Sequence, residues 1–75
     1  MFNKESFSAR LLELRNERKV MAKDLAEHLG ITKQAMSSLE KGKNIPSVPT
    51  LIALADYFDV SLDYLVGRSN DRTLL

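Results

Sequence analysis

The run Ala22-Lys23-Asp24-Leu25-Ala26-Glu27-His28-Leu29-Gly30-Ile31-Thr32-Lys33-Gln34-Ala35-Met36-Ser37-Ser38-Leu39-Glu40-Lys41 decides the fold. Ala22, Ala26 and Leu29 fall at i, i+4 and i+7 with Leu25 beside them, which predicts a short amphipathic helix. Gly30 takes the left-handed conformation that ends a helix, Ile31 turns inward, and Thr32 is a good N-cap for the next helix. That helix runs to about Lys41 and is stopped by Gly42. Across Gly30-Ile31-Thr32 the two helices cannot continue coaxially. Their apolar residues share one core only if the chain turns sharply, which is the helix-turn-helix arrangement.

Outward from this centre the helical period persists. Phe7, Leu11 and Leu14 predict a first helix of about twelve residues, capped by Asn3 or Ser6 and closed by Arg18-Lys19 near its negative end. Residues 43–49 form the longest irregular stretch. Ser47 then caps a fourth helix with Pro49 in its first turn, where Leu51, Leu54, Ala55 and Phe58 repeat with helical spacing. Val60 packs after the break, and Ser61 caps a fifth short helix over Leu62 to Val66, ended by Gly67. The expectation is an all-α fold, a compact five-helix domain over residues 1–67, followed by a loose tail over 68–75.

Composition bounds what such a chain does. With 75 residues, 44% hydrophobic and 28% charged, it is globular rather than disordered. A chain this small has one core and little room for an enclosed substrate pocket, which argues against an enzyme. Cysteine is absent and histidine occurs once, excluding disulfides, thiolate chemistry and Cys or His metal clusters. His28 is read as a surface residue. Asp56, Asp59 and Asp63 lack the alternating oxygen-ligand pattern of a calcium loop and are read as capping and solvated groups, so no metal or cofactor is expected. No apolar run approaches the ~20 residues that span a bilayer, and Met1 to Glu5 hold no signal-peptide core, so the expected location is cytoplasmic.

The net charge of +1 conceals an asymmetry: residues 1–45 carry nine basic and six acidic groups, residues 46–75 two basic and four acidic. An imbalance of this size is compatible with a polyanion at one end of the molecule, although small proteins often show it by chance. The third helix sharpens the point. With Ala35, Met36 and Leu39 turned inward, its other face carries Lys33, Gln34, Ser37, Ser38 and Lys41, a slim polar ridge with no acidic group. A helix fits the major groove of B-DNA, where Lys and Gln pair with guanine and adenine edges and Ser serves as a small donor or acceptor. Lys23, Lys41, Lys43 and Asn44 are placed to touch phosphates, as are the N–H groups at the start of the second helix. Any solvated helix face is polar, so the ridge alone decides nothing. The short turn before it and the basic loop after it favour nucleic acid.

Residues 7–67, about four fifths of the chain, resemble the phage repressor and Cro type of helix-turn-helix domain. The motifs are Phe7-Ser8-Ala9-Arg10-Leu11 with Leu14-Arg15, Leu25 through Thr32, Lys33 through Gly42, Pro46-Ser47, Thr50-Leu51 with Leu54-Ala55, and Val60 through Gly67, all in order. The resemblance implies that the third helix is a recognition helix, with Lys33, Gln34 and Ser38 reading bases, Ser37 nearby, and Lys41 and Lys43 on phosphates. It also implies a structural ion pair between Arg15 and Glu40, and a guanidinium fork suits a bidentate grip on that carboxylate. One departure stands out. Family members usually cap the second helix with Ser or Thr followed by Gln, whereas this chain has Met21 and Ala22, a lost cap worth about 0.5–2 kcal/mol.

The function expected from these residues is a sequence-specific double-stranded DNA-binding regulator of transcription, a repressor acting by occupancy. One short recognition helix reads few base pairs, so a homodimer on a near-palindromic operator is expected, with half-sites about 34 Å apart. Phe58, Val60, Leu62, Tyr64, Leu65 and Val66 are the candidate dimer contact; the alternative is that they merely close the core. The competing function is an antitoxin-like or anti-repressor module whose main contact is a second protein and which also binds its own operator, with Arg68 to Leu75 as a docking segment.

Overall fold

A computed structural model describes residues 2–73 of the chain. Five helices follow one another: α1 (Lys4–Arg18), α2 (Ala22–Leu29), α3 (Lys33–Glu40), α4 (Val48–Phe58) and α5 (Leu62–Leu65). Four begin with a side-chain cap. Asn3, Thr32, Ser47 and Ser61 each accept the backbone N–H three residues on, at 3.0, 3.0, 3.3 and 3.0 Å. Such a bond satisfies one of the N–H groups a helix start leaves unpaired. Met21 gives α2 no such bond.

All five helix ends share one closing motif, which at α5 runs from the N–H of Gly67 to Tyr64 and from that of Arg68 to Asp63. In α1 the N–H of Lys19 bonds to Asn16 and that of Val20 to Arg15; Gly30 and Ile31 close α2 in the same way, Gly42 and Lys43 close α3, and Asp59 and Val60 close α4. The motif requires one left-handed residue, and glycine enters that conformation without the clash a Cβ makes. Gly30, Gly42 and Gly67 supply it at φ 71°, 70° and 87°, whereas α1 and α4 end on Lys19 and Asp59, both at φ 55°. The first helix thus reaches 15 residues, longer than the stripe Phe7, Leu11, Leu14 predicts, and closes on a strained lysine rather than through charge alone.

After three of the left-handed positions, Lys19, Gly30 and Asp59, an apolar residue turns the chain inward. Val60 lies in the core and Val20 and Ile31 pack against it. All five helices contribute to that core: Phe7, Leu11 and Leu14; Leu25 and Ala26; Met36 and Leu39; Leu54, Ala55 and Phe58; Tyr64 and Leu65. Helix α1 packs on α3 and α5, while α2 packs on α3 and α4. The all-α five-helix expectation holds, and the two short helices turn at Gly30-Ile31-Thr32.

Residues 68–73 depart from the expected loose tail. Arg10 donates to the carbonyls of Tyr64 and Ser69 and to the side chain of Asn70, while Arg72 donates to Glu13 and Glu17 at 2.7–2.8 Å. The backbone of Arg72 accepts from the N–H of Ser61, and both guanidinium groups lie over the Tyr64 ring, 4.2 and 5.0 Å from its centre. The Tyr64 hydroxyl donates to Glu13 at 2.7 Å. That bond, then Arg72, holds the Glu13 carboxyl below its ordinary range, and Arg72 does the same for Glu17. Segment 68–73 is therefore a strap tied to α1 and α5. Leu74 and Leu75 lie outside the described residues.

Candidate nucleic-acid interface

Helix α3 is held from one side only. Met36 and Leu39 are buried and Ala35 is half-buried, so the opposite face is left to solvent. On it Lys33 and Gln34 are exposed in the first turn, Ser37 and Ser38 follow half-exposed one turn later, and Lys41 is exposed at the C-cap. The first turn has no acidic residue. Glu40, the one carboxylate of α3, turns away and accepts a 2.5 Å bond from Nε of Arg15. The guanidinium does not grip it bidentately: Nη1 reaches the carbonyl of Val20 at 3.1 Å instead. One side chain of α1 thus ties the end of α3 to the α1–α2 turn and fixes the angle at which the ridge leaves the body.

The phosphate candidates surround this ridge. Lys43 and Asn44 are exposed just beyond Gly42, whose turn lies against the first turn of α1: a Cβ built on Gly42 meets Ser8 Oγ at 3.4 Å and the Lys4 carbonyl oxygen at 3.6 Å. Lys23 is exposed at the start of α2. Where the usual glutamine would stand, Ala22 leaves a cleft of about 350 Å³ lined by Ala22, Lys23, Lys33, Met36, Ser37 and Glu40. The uncapped first turn of α2 and two lysines meet there. None of Lys23, Lys33, Lys41 and Lys43 is paired with a carboxylate among the described residues. Mobile ammonium groups flanking a neutral hydrogen-bonding ridge can neutralise phosphates and present donors and acceptors to base edges.

A helix-turn-helix family model matches residues 11–65, spanning all five helices in part or whole. The chain belongs to the helix-turn-helix family. The likeness to phage repressor and Cro domains drawn from the motifs stands with it. Among curated relatives, this domain is 40% identical over 67 residues to an uncharacterized HTH-type transcriptional regulator, YqaE, of Bacillus subtilis (strain 168), covering 88% of this chain and 58% of the relative. It is 38% identical over 63 residues to the HTH-type transcriptional regulator AnsR of the same strain, covering 84% and 54%. A crystal structure of a transcriptional regulator from Listeria innocua superposes with a TM-score of 0.78 at 33% identity, over 81% of this chain and 57% of that one. The chain thus spans a little over half the length of these relatives.

Other candidates fall elsewhere in this helix-turn-helix domain. His28 is exposed, its ring centre 4.7 Å from that of Tyr57. The dimer candidates are corrected by burial: Phe58, Val60, Tyr64 and Leu65 lie in the core because α4 packs on α2 and α5, and α5 folds back onto α1. Of that set only Leu62, with a half-buried Val66, reaches the surface. Ile45, Val48 and Ile52 are also exposed, and helical period alone does not separate them from core positions. Their signal lay in the basic and proline-flanked loop that precedes α4.

Proposed function

We propose that this chain binds double-stranded DNA sequence-specifically and regulates transcription, as a repressor that occupies its operator. The observation that carries the reading is the neutral-to-basic face of α3, anchored from behind by Met36 and Leu39 and relieved of its only carboxylate by Arg15. In this reading α3 enters the major groove with Lys33, Gln34, Ser37 and Ser38 at base edges. Lys23, Lys41, Lys43 and Asn44 meet phosphates on either side, which sets the docking without reading sequence. The protein works as a homodimer on a near-palindromic operator, in the cytoplasm; among the described residues no helix is long and apolar enough to cross a membrane. The names of the relatives, all transcriptional regulators, support the same class.

The alternative is an antitoxin-like or anti-repressor module whose main contact is a second protein; that residues 68–73 are tied to α1 and α5 favours the DNA-binding reading over one that docks through this segment. The test is selection from a random duplex library at a stated salt concentration. An enriched, near-palindromic site with salt-sensitive affinity is expected. No enrichment over the starting library contradicts the reading.

A further inference from the structure

Residues 68–73 divide into a pinned root and a lightly held tip. At the root, Arg10 donates to the carbonyl of Ser69 and the side chain of Asn70, and the N–H groups of Arg68 and Ser69 both donate to the carbonyl of Asp63. The tip rests in a cradle built from α1 and α5. Arg72 lies as a fork on Glu17, with Nη1 2.8 Å from one carboxylate oxygen and Nη2 2.7 Å from the other, and Nη2 also donates to Glu13 at 2.7 Å. The Tyr64 ring is the third wall, its centre 5.0 Å from the guanidinium, and its hydroxyl fixes Glu13. Ser61 completes the cradle: its N–H and Oγ donate to the carbonyls of Arg72 and Asp71 at 2.9 and 3.1 Å. Two carboxylates, an aromatic face and a backbone donor thus recognise a guanidinium together with the main chain that carries it.

We propose that this cradle is a docking site for an arginine-bearing extended segment of another protein, and that Arg72 closes it in the free chain by standing in for that segment. The strength of the contact argues for exchange. The side chains of Arg72, Glu13 and Glu17 are 40%, 53% and 45% exposed, and ion pairs this wet add little to stability. The pair that holds the fold, Arg15 with Glu40, is far more shielded at 20% and 14%. Charge argues against an empty cradle. Glu13 and Glu17 stand four residues apart on α1, where uncovered like charges repel each other. An incoming guanidinium restores what a departing Arg72 takes away, so one occupant replaces another at small cost. Position argues that the site works beside the ridge rather than through it. Glu13 and Glu17 lie two residues to either side of Arg15, so they face the side of α1 opposite to the one that ties Glu40 of α3. Filling the cradle leaves α3 free, and the inference stands independently of the DNA-binding reading.

The test titrates the full chain, wild type and Arg72→Ala, with a peptide of the sequence of residues 69–73 and with the same peptide carrying lysine in place of its arginine. Binding is read from amide NMR shifts. In Arg72→Ala the arginine peptide moves the amides of Glu13, Glu17, Ser61 and Tyr64. It binds there roughly tenfold tighter than to wild type, where the tethered Arg72 competes at an effective concentration near the millimolar range. The lysine peptide, which lacks the planar fork, binds roughly tenfold weaker than the arginine peptide. Adding Glu17→Gln to Arg72→Ala abolishes binding. Arg72 is exposed, so the variant is expected to fold; a thermal melt verifies it, and Arg72→Gln stands in if it does not. Equal affinity of wild type and Arg72→Ala, equal affinity for the two peptides, or no shift at millimolar peptide overturns the proposal. So does a wild-type dimer that Arg72→Ala dissolves, because a second copy's strap is then the occupant of the cradle.

Discussion

The two sides of this domain use their cations differently. At the strap and along α1, Arg10, Arg15, Arg18 and Arg72 each donate to an acceptor of the protein itself: carbonyls of Val20, Phe58, Tyr64 and Ser69, and the side chains of Glu13, Glu17, Glu40 and Asn70. Around α3 the cations are lysines, and none is paired with a carboxylate among the described residues. A planar guanidinium with five donors locks elements together; an ammonium on a flexible stem stays available for an external anion. Net charge, at +1, misses this division altogether. What matters for a polyanion is how many cations the fold leaves unmatched on one face.

Breaking the arginine side is expected to cost the most. Arg15→Ala removes the partner of a largely shielded Glu40 carboxylate and should lower stability by about 1.5–3 kcal/mol, read by urea denaturation. The double variant Arg15→Ala, Glu40→Ala should recover part of that loss, because no orphaned charge remains. Restoring the missing cap comes next. Met21 already has the extended backbone of an N-cap at φ −76° and ψ 144°, so Met21→Ser should stabilise the domain by about 0.5–2 kcal/mol. An unchanged melting temperature would show that water caps α2 equally well. On the lysine side, Lys43→Ala should leave the melt untouched and lower the salt slope of duplex binding by roughly one.

The smallest effect is the pH response of the strap. Glu13 is held below its ordinary value of 4.5 by Tyr64 and then Arg72, and Glu17 by Arg72. A carboxylate with a depressed folded pKa stabilises above that ordinary value, and the contribution fades as pH falls through the folded pKa. Amide protection in residues 68–73, taken relative to the intrinsic exchange rate at each pH, should therefore fall below about pH 4.5 before that of α3 does. A uniform loss of protection through the whole chain would mean that the strap is not a separate unit.

Much of this architecture was legible in the residues, because its signals were local. Gly30-Ile31-Thr32 carries both a stop and a start, and Ser47 with Pro49 or Ser61 before Leu62 mark helix beginnings that the structure reproduces. The ends at Lys19 and Asp59 were not legible as left-handed turns, since neither residue type announces a positive φ. The ridge could be laid out by counting, as helical spacing fixes which side chains share a face. Its neighbourhood could not. Residues 68–73 have no period, and what holds them is a set of arginine bonds to residues more than fifty positions away. The six apolar residues of the C-terminal third likewise look alike in sequence. Whether Phe58 or Ile52 faces solvent depends on which side of α4 meets α2 and α5, and only packing decides it.

The most direct measurement compares wild type and Gln34→Ala for the ratio of affinity on the selected site to affinity on random duplex, at one salt concentration. If α3 reads bases through its exposed first turn, the ratio falls by about 1–3 kcal/mol while the melt is unchanged, since Gln34 is exposed and its side chain bonds to no other among the described residues. A ratio equal to that of wild type would contradict the assignment of the reading face.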